Sequence, residues 1–383
     1  MTYKTTIFEA AEKVKENKKI HLKQNGRAAL QFLGSLRATA SRGLRENAKL
    51  SFESNKQAKE LINYKNKENI KNQSEWRKII ENGDKLARNI FEYQFERYYQ
   101  YHGGKEIWDR AIPAVEELRS DIEESFVSID KKGNKDNLEL DRNIKFPEYF
   151  NIEFHTQPGG WDAYDLYAQV FQYGFGPYVF PYGGFAAIDP GQKSDREEIW
   201  NEMPNDNYQS IFEPGCGAGG MLFTARKIFP KAKLVGCDLS EIFLRHGWRM
   251  SESLNLNINF KQCLAEQTNE KDNSYDAVIS YAFFHELPVN AGKKIINEMF
   301  RILKPGGDIL IADMPNFNEI SLFQSLLLHH ETIYHDEPYV TGYCSTDWKD
   351  YFKELGFINV LSKSLYNGPG KFPYIYTGTK PKK

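Results

Sequence analysis

The sequence predicts an α/β protein in which a doubly wound, mostly parallel sheet fills the C-terminal part and a helical, aromatic-rich region precedes it. Three observations carry that expectation. Strand-like and helix-like runs alternate from Tyr208 onward, a glycine loop sits at the first strand-to-helix turn, and the first hundred residues have helical spacing with almost no β-rich run. A chain of 383 residues exceeds one ordinary domain. The composition shifts divide it into a basic helical arm over residues 1–91, an aromatic-rich cap over 92–204 and an α/β domain over 205–383.

The arm carries its apolar residues at helical intervals (Ala29, Leu30, Phe32, Leu33, Leu36, then Ile79, Ile80, Leu86, Ile90). Between Lys49 and Lys78 the hydrophobes thin out among Lys, Asn and Glu, which predicts a long exposed helix or a partly mobile stretch. The net charge of -2 hides an asymmetry: residues 1–100 hold 21 Lys/Arg against 12 Asp/Glu, leaving 29 against 40 for the rest. A basic arm of this kind suits nucleic acid or an anionic surface, or else a solvated helical face. In the cap, 11 of the 32 residues from Phe154 to Phe185 are aromatic, with glycine and proline between them. That pattern suits either a pocket wall or an aromatic packing interface.

In the α/β part, strands are expected at Ser210 to Glu213, Lys233 to Asp238, Ile258 to Cys263, Tyr275 to Ser280 and Asp308 to Asp313. Helices fall at Met221 to Phe229, Ile242 to Leu254, Ala291 to Leu303, Ile320 to Leu328 and Thr346 to Leu355, the last stopped by Gly356. Two closing strands, near Phe357 to Ser362 and Phe372 to Thr377, are joined by the turn Asn367 to Gly370. No apolar run reaches the roughly 18–20 residues of a membrane span, and Met1 to Ile20 lacks the apolar stretch of a secretory signal, so a cytoplasmic location is expected. Cys216, Cys237, Cys263 and Cys344 form no C-x-x-C pair and suggest neither disulfides nor a zinc site.

The loop Glu213-Pro214-Gly215-Cys216-Gly217-Ala218-Gly219-Gly220 admits two readings. Gly215, Gly217 and Gly220 fit the G-x-G-x-x-G dinucleotide fingerprint, whereas Glu213, Gly215, Gly217 and Gly219 fit the acidic E/D-x-G-x-G-x-G pattern of S-adenosylmethionine enzymes. A carboxylate before the first glycine has no role beside an anionic pyrophosphate, but it can serve a cationic, amino-acid-bearing cofactor. Asp238, at the end of the second strand, can accept both ribose hydroxyls.

These residues, with Arg301-Ile302-Leu303-Lys304-Pro305-Gly306-Gly307, resemble the class I S-adenosylmethionine-dependent methyltransferases, in the small-molecule branch that includes quinone methyltransferases, over about residues 208–379. The resemblance implies a Rossmann-like seven-stranded sheet of order 3-2-1-4-5-7-6, with the C-terminal hairpin supplying the reversed strand. It implies S-adenosyl-L-methionine as cofactor, held by Glu213, Gly215, Cys216, Gly217, Gly219, Asp238 and Leu239, with Ala265 and Glu266 near the adenine. Tyr281 to His285 would line the floor where acceptor and sulfonium meet. Gln267 to Asn273 departs from the family pattern, since the usual apolar-Pro-Phe step is missing.

Methyl transfer asks the protein to align acceptor and methyl, exclude water and remove a proton from a hydroxyl acceptor. His285 is the first candidate base, with His329 and His330 as further catalytic candidates in the cluster His329, His330, Glu331, His335, Asp336, Glu337. No helix-face metal pattern appears in that cluster, so no metal is expected. His155, Tyr164, Tyr167 and His335 are candidate substrate contacts. The absence of an N/D-P-P-Y string after the fourth strand disfavours a nucleic-acid acceptor. The sequence therefore predicts a methyltransferase of a small organic acceptor, a hydroxyl oxygen first and nitrogen or sulfur second, with a homodimer through the N-terminal region. The alternatives are a nucleic-acid-associated methyltransferase using the basic arm, an NAD-dependent oxidoreductase and a non-catalytic cofactor-binding scaffold.

Overall fold

Short apolar strands alternating with amphipathic helices close into an eight-stranded sheet. The computed structural model describes residues 20–182, 196–366 and 372–382. Its strands are β1 (Leu138–Glu139), β2 (Ser210–Pro214), β3 (Lys233–Asp238), β4 (Asn259–Gln262), β5 (Tyr275–Tyr281), β6 (Leu303–Asp313), β7 (Ile358–Ser364) and β8 (Tyr374–Thr379), in the order β1-β4-β3-β2-β5-β6-β8-β7. β8 runs antiparallel to both β6 and β7. From β4 to β7 this is the seven-strand order the resemblance implies, with β8 as the reversed strand. The outer strand β1 is an addition, pairing Leu138 with Phe260 and Glu139 with Lys261. Two residues carry no periodicity, which is why the sequence does not announce it.

Each strand alternates its side chains between two cores. Phe212, Val235, Val278, Ile309 and Ile311 face one, with Ile295, Ile296 and Phe352 from the covering helices. Ile211, Leu234, Ala277, Ile279 and Leu310 face the other, with Leu222, Leu244 and Trp248. Burial on both faces explains why the central strands β2, β3, β5 and β6 hold continuous apolar runs, whereas the edge strand β7 leaves Ile358 and Leu361 exposed.

Five helices come first: α1 (Gln24–Ser54), α2 (Lys56–Lys67), α3 (Gln73–Ala87), α4 (Phe91–Glu116) and α5 (Arg119–Lys132). The polar stretch from Lys49 to Lys78 is broken where asparagines compete for the backbone. Asn55 accepts the N–H groups of Gln57 and Ala58 at 2.9 and 3.1 Å, and Asn72 accepts that of Ser74 at 2.8 Å. Phe52, Ala58, Ile70 and Trp76 of that stretch are buried while Leu50 and Tyr64 are exposed, which replaces the expected long exposed helix or mobile segment with helices packed by one face. Phe52, Ala58 and Trp76 share a core with Phe317, Phe323 and Leu326 of the insertion after β6. Lys65 reaches into the same seam, donating to the carbonyls of Asn318 at 3.2 Å and Ile320 at 2.5 Å.

The insertion is built around α6 (Leu322–Tyr334), started by a capping box of Ser321 and Gln324. It runs past Leu328, so His329, His330 and Glu331 are helical and do not follow the helix as expected. The cap between α5 and β2 packs Trp108, Leu166, Tyr167 and Phe175 into a third core on α1 and α4. Phe185, the lysines before Ile20 and the turn Asn367 to Gly370 lie outside the described residues. Among the described residues no helix is long and apolar enough to cross a membrane.

Candidate functional site

The loop between β2 and the following helix (Gly220–Ile228) turns through left-handed backbone at Gly215 (φ 63°), Gly217 (φ 50°) and Gly219 (φ 81°). A Cβ at Gly215 would overlap the Phe283 ring, whereas at Gly217 no described atom lies within 4 Å. Gly217 thus presents bare backbone to open space, the condition for close approach of a ligand. Asp238 holds the loop from β3: its Oδ2 accepts the Gly217 N–H at 2.8 Å and its Oδ1 the Ser240 N–H at 2.9 Å. Burial pushes the Asp238 carboxyl up to about 6, against those two hydrogen bonds, and Asp162 and Glu286 raise it further.

Glu213 is 2% exposed, and burial raises its carboxyl well above the usual range, opposed by Arg196. Glu213 Oε2 and Arg196 Nε are both buried without a hydrogen-bond partner among the described residues. Arg196 begins a short helix (Arg196–Trp200), with its guanidinium at the start of the Gly220–Ile228 helix and 5.1 Å from the Tyr281 ring centroid. Glu266 spends Oε1 on the Tyr149 hydroxyl at 2.6 Å, while its Oε2 has no hydrogen-bond partner among the described residues. Cys216 and Ala265 are buried, Leu239 is half-buried with its carbonyl taken by Gln262 at 2.9 Å, and the Ser240 hydroxyl donates to Asp162 of the cap. An opposed carboxylate and guanidinium, a turn of left-handed glycine backbone without side chains and a second carboxylate on β3 fit a zwitterionic amino acid joined to a ribose. Sequence reasoning missed Arg196, Tyr149 and Asp162, which lie upstream of any motif.

A second group of side chains gathers beyond Tyr281. Asp313, at the end of β6, accepts the N–H groups of Phe283, Phe284 and His285 at 3.0, 2.7 and 3.3 Å on Oδ2 and that of Met314 at 2.7 Å on Oδ1. The same Oδ1 lies 2.6 Å from His285 Nδ1. Asp313 overcomes burial to hold the His285 imidazole up at about 9. Next to it, His155 of the cap has Nε2 3.3 Å from Glu286 and Nδ1 paired with Glu337 of the insertion. These carboxylates lift the His155 imidazole to about 10 despite its burial. Both rings are therefore cationic at neutral pH. Burial raises Glu286 above the ordinary carboxylate range.

The remaining candidates lie elsewhere. Tyr164 donates to Glu116 at 2.7 Å and Tyr167 to the Pro158 carbonyl, so both serve the seam between cap and helices and not the expected pocket. His329 pairs with Thr341 at 2.9 Å. Burial and Arg97 push the His330 imidazole down to about 3. His335 stacks on Tyr101 and pairs with Glu331. His330 and His335 face Tyr93 and Tyr101 of α4, and His329 faces Thr341, which corrects their assignment to the acceptor site. His330, Glu331 and His335 do bring ligand-type atoms within 4.8 Å of one another, a grouping the sequence spacing hides. Arg97 already sits 2.8 Å from Glu331 and would repel a cation there.

Residues 211–307 match the family model of the methyltransferase domain. An uncharacterized protein of Haemophilus influenzae is 31% identical over 46% of this chain and 69% of its own length. A malonyl-[acyl-carrier protein] O-methyltransferase of Brevibacillus brevis is 23% identical over 50% of this chain and 70% of its own. Among solved structures, a phosphoethanolamine N-methyltransferase of Haemonchus contortus in complex with S-adenosyl-L-methionine aligns with a TM-score of 0.43 at 16% identity, over 57% of this chain and 60% of that one. The chain thus spans about two thirds of the length of these relatives. With the matched segment running from the first strand of the sheet through the glycine loop and Asp238 to the Lys304-Pro305-Gly306-Gly307 turn, this chain carries a class I S-adenosylmethionine-dependent methyltransferase domain.

Proposed function

We propose that the chain methylates a small organic acceptor that enters between the aromatic cap and the ends of β5 and β6. The observation that carries this reading is the meeting of His155, Glu286 and Glu337, from cap, β5 loop and insertion, beside the Asp238 end of the cofactor site. When bound, S-adenosylmethionine supplies an electrophilic methyl group on a sulfonium. Asp238 would accept the ribose hydroxyls, Glu213 and Arg196 would take the ammonium and carboxylate of the amino-acid end, and Glu266 would face the adenine. Cys216, Leu239, Ala265 and Tyr281 would wall the pocket.

For the acceptor atom we keep the hydroxyl oxygen, with Glu286 and not His285 receiving its proton. An imidazole already protonated at neutral pH takes no proton, and a carboxyl raised by burial is a better base than an ordinary one. His285 then positions the loop through Asp313. A nitrogen acceptor is the second reading, favoured by the two carboxylates around His155. We further propose a cytoplasmic homodimer through α4, whose Phe91 (69% exposed) and Tyr98 (57% exposed) leave an aromatic stripe uncovered.

Calorimetric titration with S-adenosylmethionine tests the core of this reading. The wild type binds, and Asp238→Ala binds at least tenfold more weakly, since each charge-assisted hydrogen bond contributes roughly 1.5–3 kcal/mol. Transfer of a ¹³C-methyl group to a metabolite extract then identifies the acceptor atom from the product's methyl resonance. Absence of binding to the wild type would refute the proposal.

A further inference from the structure

His155 occupies an unusual position for a residue of a surface cap. Its backbone is left-handed (φ 57°) and so is that of Thr156 (φ 60°), a β-branched residue for which this conformation is an outlier. Gly159 and Gly160 (φ 74° and 76°) return the chain, and Trp108 Nε1 donates to the His155 carbonyl at 2.8 Å. The result is a loop that pushes one imidazolium inward, between carboxylates from two elements far apart in sequence. Each ring nitrogen meets one carboxylate, Nδ1 that of Glu337 and Nε2 that of Glu286. Trp161 stands edge-on to the ring with centroids 6.1 Å apart, and Phe154 links Trp161 to Tyr339.

Glu337 is 4% exposed. Glu286 is half-buried beside it, and two such carboxylates facing one space favour a cation between them, because a poorly solvated charge without a partner is unfavourable. Two carboxylates converging on one space are a receptor for an ammonium group. In the free protein the cation is part of the chain. Resting on the methyltransferase reading above, we propose that the acceptor carries an ammonium group, that Glu286 and Glu337 are its receptor, and that His155 is the cation the acceptor displaces. The backbone strain at His155 and Thr156 makes the loop ready to withdraw once another cation satisfies the carboxylates. Selectivity for cationic over neutral or anionic acceptors follows from the same pair.

The test uses propylammonium, 1-propanol and propionate as probes on the full chain. In His155→Ala, propylammonium raises the melting temperature saturably while 1-propanol and propionate do not, and Glu337→Gln on that background removes the response. In the wild type, propylammonium increases diethylpyrocarbonate labelling of His155 at pH 7 at least threefold, because the displaced ring loses its partners and its proton. An equal response of His155→Ala to propylammonium and 1-propanol, or unchanged labelling of the wild type, overturns the proposal and leaves His155 a fixed clamp. The labelling decides the matter if the variant does not fold. S-adenosylmethionine binding is measured on the same samples: binding without ammonium selectivity sinks the receptor alone, and no binding sinks the methyltransferase reading beneath it.

Discussion

The two halves of the site are made of different material. On the cofactor side, glycine backbone in left-handed conformation does the shaping, and the charged groups are few: Glu213, Arg196 and Asp238. On the acceptor side the backbone recedes and five titratable side chains, His155, His285, Glu286, Asp313 and Glu337, fill the space in ion pairs. A backbone-built site is sensitive above all to added atoms, while a site built of paired charges is sensitive above all to which of its groups are ionised. The first suits a cofactor of fixed shape, the second an acceptor selected by its charge.

The comparison can be broken most sharply at Gly215. Gly215→Val places a β-branched side chain on backbone with φ 63° and drives it into the Phe283 ring. Cofactor binding should fall at least a hundredfold by calorimetry while the circular dichroism of the sheet persists. Retention of affinity would show that the loop is not shaped by its glycines.

Asp238 sharpens it, because a carboxylate raised by burial beside the loop should trade stability for binding. Its carboxyl is raised from 3.8 to about 6, so its favourable contribution is complete below the ordinary aspartate range and is lost as pH rises through about 6. At pH 7.5 the ionised group is a burden, and Asp238→Asn should stabilise the free protein by about 1–2 kcal/mol, read by urea unfolding, while binding S-adenosylmethionine more weakly. A destabilised Asn variant would mean that the Gly217 and Ser240 hydrogen bonds outweigh burial.

The smallest effect is on the acceptor side. His155 faces Glu286 and Glu337, and His285 faces Asp313 with Glu286 and Glu337 behind it. Both imidazoles are raised, so their stabilisation is complete below the ordinary histidine range near 6.5 and is lost as pH rises through about 9 and about 10. The melting temperature should drift down by a few degrees between pH 8 and 10, and His155→Gln should be less stable at pH 7 and flatten that drift. An unchanged profile in the variant would remove His155 from the pair.

The cofactor side was legible in the sequence because its causes are local. A positive φ favours glycine where it occurs, a strand end needs its carboxylate at a fixed offset, and the strand-helix alternation marks the strands whose order the family resemblance implied, the two-residue β1 apart. The acceptor side was half legible. His155 and His285 stood out by type, but Glu286 and Glu337 meet His155 only through the fold. Asp313 carried a usable signal that was passed over, namely a carboxylate ending a central strand. The aromatics at Tyr164 and Tyr167 show the opposite failure: their composition suited a pocket, and they turned out to cement the cap to α4. The histidines after Leu328 were misplaced because the α6 helix continues through them.

The core shared by Phe52, Ala58 and Trp76 with Phe317, Phe323 and Leu326 has a consequence for how the chain is made. The first three helices leave the ribosome long before the segment that covers them. At about 5–20 residues per second, some ten to fifty seconds separate the synthesis of Trp76 from that of Phe323. During that interval the helices must keep their apolar faces from other chains, and their surplus of lysine and arginine, most of it outside the core, is well suited to keeping nascent copies apart.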